Sequence, residues 1–216
     1  NERTLAIVAS TDNSISILDF AAETMSAKIL VHDNPIFDCA FCDGHNTFVT
    51  AGCDGSLRFI DSRDLSSITV LYQAAMPLLR LAVYPSDPNL IAVFGRAATG
   101  VTLVDARMPG LPAAASTHVD KEITAIGWKV LHENAKPILI STNSAGQLRM
   151  CDFSMGKTMV PNQIIYDTKK KNESMALSDK FAAVTHDNEL EIIPINEAEI
   201  FYDDGSLTDQ GIDIEF

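Results

Sequence analysis

The sequence predicts an all-β chain assembled from one repeated, four-stranded unit. A short phrase of apolar, polar, apolar and apolar residues, usually closed by Asp, occurs five times. The copies are Ile15-Ser16-Ile17-Leu18-Asp19, Leu57-Arg58-Phe59-Ile60-Asp61, Val101-Thr102-Leu103-Val104-Asp105, Leu148-Arg149-Met150-Cys151-Asp152 and Leu190-Glu191-Ile192-Ile193-Pro194. Their closing positions lie 42, 44, 47 and 42 residues apart. A fixed period of that size is the signature of a repeat architecture. Each copy also follows a turn and a second apolar run, the pattern of a β-hairpin.

Each phrase reads as a strand with one well-buried face and a largely covered second face. The turns before the phrases are Asp12-Asn13-Ser14, Asp54-Gly55-Ser56, Thr99-Gly100, Ala145-Gly146-Gln147 and Asp187-Asn188. Gly and Asn tolerate positive φ, so Asp-Gly and Asp-Asn between apolar runs are strong hairpin signals. The strands ahead of the turns are expected at Leu5–Ala9, Phe48–Ala51, Leu90–Phe94, Ile138–Ser141 and Phe181–Val184. Another set precedes the hairpins, at Ile36–Phe41, Leu78–Tyr84, Ile123–Trp128 and Met175–Leu177. A last set follows them, at Lys28–Val31, Ile68–Tyr72 and Gln163–Tyr166. Four antiparallel strands per 40–45 residues describe a β-propeller blade of the WD40 type. The expected fold is parts of five blades, three of them complete, over residues 1–200. Residues 201–216, an acidic stretch, are expected to form a tail or a peripheral strand. A propeller removes its sheet edges by closing a ring. The chain therefore reads as the C-terminal part of a seven-bladed ring, with a closed five-bladed ring as the alternative.

Composition narrows the function. The 216 residues are 46% hydrophobic, enough for a buried core. Sixteen basic residues against 29 acidic ones give a formal charge of −13. That field repels phosphate backbones and argues against general nucleic-acid binding. The basic run Lys169-Lys170-Lys171 reads as a solvated loop tip. No run of about 18 apolar residues occurs, so no membrane-spanning helix is expected. Four cysteines fit a reducing compartment.

In a typical WD40 phrase, Trp stands just before the Asp. Here Leu18, Ile60, Val104, Cys151 and Ile193 hold that place. None of them supplies the indole N–H of the hydrogen-bonded network that such blades build from a loop His, a strand Ser or Thr, the turn Asp and the Trp. Asp12, Asp54 and Asp187 hold the turn position, and His32 and His118 are the candidate loop members. The network is expected to be partial. The single Trp128, at the end of a first strand, is expected either to pack between blades or to make a surface contact.

Residues 50–112 are more specific. Thr50-Ala51-Gly52-Cys53-Asp54-Gly55-Ser56-Leu57-Arg58-Phe59-Ile60-Asp61-Ser62-Arg63 leads to Pro77-Leu78-Leu79-Arg80-Leu81. Asp87-Pro88-Asn89-Leu90 and Val104-Asp105-Ala106-Arg107-Met108-Pro109 follow. This order resembles the WD40 adaptor family of the plant Transparent Testa Glabra protein and its animal relative, over roughly residues 4–195. The resemblance implies a seven-bladed, non-catalytic scaffold, with the match beginning inside the third blade. The implied partners are dual-specificity tyrosine-regulated kinases or transcription factors of the helix-loop-helix and Myb types. It also implies a substrate receptor of cullin-4 ubiquitin ligases as the alternative, and a cytoplasmic and nuclear location. In cullin-4 receptors the Arg two positions after the closing Asp contacts the ligase adaptor. Asp61-Ser62-Arg63 and Asp105-Ala106-Arg107 have that spacing, which marks Asp61, Arg63, Asp105 and Arg107 as candidate partner-binding residues. The competing role for each Arg is to brace its own blade edge against local carboxylates.

Catalytic and metal chemistry finds little support in the sequence, and no cofactor is expected. Cys39-Ala40-Phe41-Cys42 is a lone CxxC on a strand, where positions three apart face opposite ways. No second pair completes a zinc site. The five His lack a two-ligand spacing, and no phosphate loop, dinucleotide fingerprint or nucleophile elbow occurs.

Overall fold

The computed structural model describes residues 5–44, 46–117, 121–130, 138–151, 153, 159–160, 162–178 and 180–195. They form five sheets in chain order, antiparallel except for one short pairing. The first contains β1 (Leu5–Ala9), β2 (Ser14–Asp19) and β3 (Thr24–Leu30). The second contains β4 (Ile36–Asp43), β5 (Thr47–Gly52), β6 (Ser56–Asp61) and β7 (Asp64–Gln73). The third contains β8 (Leu78–Val83), β9 (Leu90–Gly95), β10 (Gly100–Asp105) and β11 (Pro112–Thr117). The fourth contains β12 (Ile123–Lys129), β13 (Ile138–Asn143), β14 (Gln147–Cys151) and, beyond β15 (Met159–Val160), the strand β16 (Asn162–Asp167). The fifth contains β17 (Ser174–Leu177), β18 (Phe181–His186) and β19 (Glu189–Pro194). The short β15 pairs in parallel with the outer strand β11.

These are WD40-type propeller blades: the second and fourth have four strands, and the third has four with β15 added at its edge. Two strands lie outside the sequence pattern, the two-residue β15 and the longer β11. Apart from its last residue, Thr117, the segment Pro112-Ala113-Ala114-Ala115-Ser116-Thr117 lacks the branched and aromatic residues that favour strands, yet it pairs with β10 along its length. Tertiary pairing overrides its weak propensity.

The core is a series of four clusters, one between each pair of neighbouring sheets. Ile15, Ile17 and Val31 meet Ile36, Phe48 and Ile60. Val49, Leu57 and Leu71 meet Leu78, Ile91 and Val104. Val101 and Leu103 meet Ile123, Leu139 and Cys151. Ile138, Ile140 and Leu148 meet Val184 and Ile193. The clusters explain the repeated phrase. Its first and third residues face the following blade, and its fourth faces the preceding one, because successive strand residues point to opposite faces. The position where Trp is usual is thus a blade-to-blade packing position, and Ile60, Val104, Cys151 and Ile193 are all buried there. In the fifth copy the first and third residues, Leu190 and Ile192, are 63% and 62% exposed.

Innermost strands β4, β8, β12 and β17 stand side by side, and polar ties cross between them. The Leu81 N–H donates to Asp38 Oδ2 at 3.0 Å. Burial pushes the Asp38 carboxyl above its ordinary range, against the pull of that bond. Trp128 packs between blades: its Nε1 donates to Ala82 O at 2.9 Å. Its ring meets Tyr84 edge-on at 4.7 Å and Phe153 at 6.0 Å. The buried Lys129 donates from Nζ to Ser178 O at 2.9 Å, joining the fourth blade to the fifth.

Candidate partner-docking rim and the network behind it

The loop between β3 and β4 carries His32 into the top of the second blade. Its Nδ1 lies 3.0 Å from both oxygens of Asp54, and its Nε2 lies 2.7 Å from Thr50 Oγ1. With Nδ1–H donating to the carboxylate, the neutral Nε2 accepts from the Thr50 hydroxyl. Ser56 donates to Asp54 from both its hydroxyl, at 2.7 Å, and its N–H, at 2.9 Å. Gly52 makes room for this cluster, since a Cβ there would collide with His32 Nδ1.

The network closes through a residue that the sequence pattern does not mark. Arg58 donates from Nε to Ser56 Oγ at 2.9 Å, from Nη2 to Asp54 Oδ2 at 3.2 Å and from Nη1 to Val31 O. The donor that the absent Trp would give comes instead from a guanidinium two residues upstream, on the same strand face. The available signal was an Arg at the polar position of the only phrase whose turn also follows a loop His, a strand Thr and a turn Asp. Burial tends to raise the Asp54 carboxyl, but the Ser56 bonds and His32 override it and hold it at about 2. Burial lowers the His32 pKa from its ordinary 6.5, against the pull of Asp54.

That shift has a sign. The unfolded chain takes up a proton at His32 below about pH 6.5, while the folded chain resists it, so stability is present above that pH and lost as pH falls. The expected result is a melting temperature that drops from about pH 7.5 to about pH 5.5. In His32→Gln the slope over that interval is flatter, and an unchanged slope contradicts the assignment.

Other copies carry fragments of the network. Asp12 accepts from Ser14 and from Lys28 Nζ, at 2.7 Å, and Lys28 holds its carboxyl well below the usual range. In the fourth blade Asn143 Oδ1 accepts the Gln147 N–H at 3.1 Å, replacing the turn Asp, and Arg149 donates to Gln147 Oε1. Asp187 and Asn188 occupy a two-residue turn with φ of 46° and 65°. His118 lies outside the described residues.

At the opposite ends of β6 and β10 are the two arginine forks. Arg63 donates from Nε to Asp61 Oδ1 at 2.9 Å and from Nη2 to Asp61 Oδ2 at 2.6 Å. Its own N–H also reaches Oδ1, at 2.8 Å. Arg107 repeats the arrangement on Asp105, with both side-chain bonds at 2.8 Å. It also reaches Asp87 Oδ2 at 3.0 Å. The Arg63 bonds hold Asp61 at about 2, and the Arg107 bonds lower Asp105. The side chains are 70% and 55% exposed, and the bonds to Asp61 and Asp105 leave Nη1 of each arginine outside the pair. Each fork thus braces its blade turn, with the Nε and Nη2 edge taken by its own Asp, and keeps the guanidinium in a fixed orientation at the exposed rim.

Burial pushes Cys39 to about 11 and Cys42 to about 12, far from a reactive thiolate. Among the described residues no cluster of three His, Cys, Asp or Glu is placed to hold a metal ion.

Stacked antiparallel sheets joined through the repeated phrase make up a WD40-type blade fold. The chain is similar to the DDB1- and CUL4-associated factor 7 homolog of Dictyostelium discoideum, with 32% identity over 126 residues. That match covers 57% of this chain and 39% of the relative. A WD repeat-containing protein of Schizosaccharomyces pombe is 30% identical over 141 residues, 56% of this chain and 32% of the relative. A WD repeat-containing protein of Saccharomyces cerevisiae is 25% identical over 171 residues, 69% of this chain and 32% of the relative. The chain thus spans about a third of the length of the curated relatives it matches. No protein-family model matches it.

Proposed function

We propose that this chain belongs to a non-catalytic docking scaffold that assembles protein complexes, such as those of kinases or of helix-loop-helix and Myb-type transcription factors. The observation that carries the reading is the pair of exposed, pre-oriented arginine forks on successive blades. Fixing a side chain before association reduces the ordering cost of binding. The net charge of −13 favours partners that bring basic segments to the rest of the surface. A cytoplasmic and nuclear location goes with this reading.

The second reading is a receptor that joins a cullin-4 ligase through DDB1, the protein named in the Dictyostelium relative. The Asp-x-Arg spacing at Asp61–Arg63 and Asp105–Arg107 favours it. Under this reading, Arg63→Glu with Arg107→Glu weakens binding of purified DDB1 by about 100-fold or more. Binding equal to that of the unaltered chain removes the ligase reading and leaves the scaffold to other partners.

A further inference from the structure

The second and third blades share one frame. Cys53 N–H donates to Pro35 O, and Arg96 N–H to Pro77 O, both at 2.8 Å. Gly55 N–H donates to Gly52 O, and Ala98 N–H to Gly95 O, both at 3.1 Å. Thr50 pairs in register with Arg58, as Val93 does with Thr102. The places of His32, Thr50, Asp54, Ser56 and Arg58 are therefore held in the third blade by Ala74, Val93, Ala97, Gly100 and Thr102. Every member of the network is cut back or made less polar at once.

The space that the network fills in the second blade is open in the third. A cavity of about 320 Å³ lies there, lined by these five residues with Tyr72 and Met76. Its size is at the lower end of the range for ligand pockets. An apolar hollow forfeits the contacts that a filled one makes, so an apolar group placed in it is stabilised. The groups that fill the equivalent space in the second blade are flat, the imidazole of His32 and the guanidinium of Arg58. A flat ring is the matching shape. Charge selects the other end of the ligand. Arg96 is exposed and lines the cavity. Unlike Arg58, Arg63 and Arg107, it makes no ion pair among the described residues. A guanidinium left open at the lip of an apolar socket suits a carboxylate.

We propose that this socket binds a small aryl carboxylate. The ring lies among Ala74, Val93 and Thr102, and the carboxylate accepts from the Arg96 guanidinium. The volume suits one ring with a short tail rather than a polypeptide segment. The site uses neither arginine fork, so it stands or falls separately from the docking-scaffold reading.

Titrating the 216-residue chain with 3-(4-fluorophenyl)propionate, followed by fluorine NMR line width, tests it. The expected Kd is roughly 0.1–1 mM, as for a ligand of about a dozen heavy atoms. The matching amide and amine should bind about tenfold or more weakly. Arg96→Gln should weaken carboxylate binding about tenfold and leave amide binding unchanged. Ala74→His with Thr102→Arg refills the socket with the second blade's side chains and should abolish binding, as should Ala74→Phe. Circular dichroism checks that each variant keeps its sheets, and Arg96→Gln, at an exposed position, decides the matter if a filled variant does not fold. Arg63→Glu with Arg107→Glu should bind the probe like the unaltered chain. No saturable binding at millimolar probe, equal binding of carboxylate, amide and amine, or undiminished binding in Arg96→Gln or in a folded filled variant overturns the proposal.

Discussion

Replacing Trp128 with alanine is expected to lower the unfolding free energy by about 3–5 kcal/mol, the range for deleting a large aromatic from a packed site. Its indole bridges two blades through the Ala82 carbonyl and packs between Tyr84 and Phe153. In a serial array, stability is close to a sum of unit and nearest-neighbour terms. Loss of this contact therefore acts on the joint between the third and fourth blades. Urea unfolding should show it as a fall in midpoint. Trp128→Phe keeps most of the ring packing and loses the N–H donor, so it should cost only about 1 kcal/mol. If both variants unfold like the unaltered chain, Trp128 is not a blade-to-blade anchor.

The second large effect is expected at Asp54. Its side chain is 11% exposed and collects bonds from His32, Ser56 and Arg58. Asp54→Ala leaves those donors facing an apolar methyl and should cost about 3 kcal/mol. The contribution has an acid limit. Folding lowers the carboxyl from 3.8 to about 2, so its stabilisation is complete above the higher value and is lost as pH falls through the lower one. Asp12 is the matched control. It holds the equivalent turn position, but its partner Lys28 is about half exposed, and pairs of this kind contribute little. Asp12→Ala should therefore leave the urea midpoint nearly unchanged. Equal losses at Asp12 and Asp54 contradict the view that burial separates them.

Much of this was legible in the sequence because the phrase encodes its own packing. Alternation followed by a second apolar residue states that both faces of the third strand are covered, and the clusters show which blade covers each face. The turn residues were legible for the same reason, since Asp54-Gly55 and Asp187-Asn188 meet a backbone requirement that few residues satisfy. The strand at Pro112–Thr117 was not legible, because its small residues gain strand conformation only from pairing with β10. Arg58 was missed because replacement of the usual Trp pointed to a missing donor, whereas the donor had moved two residues along the strand. Buried Lys129 and Asn172 were also invisible. Nothing in their local sequence distinguishes them from solvated polar residues until the neighbouring blade is placed beside them.

The claim that the chain docks proteins through its blade rim is tested most directly by affinity capture with cross-linking mass spectrometry. The unaltered chain and the Arg63→Glu, Arg107→Glu variant would be compared. The expected result is a defined set of retained proteins, some cross-linked near the turns after β6 and β10, with that subset lost from the variant. Retention of nothing above the bare matrix, or an identical set with identical cross-links in both, would contradict it.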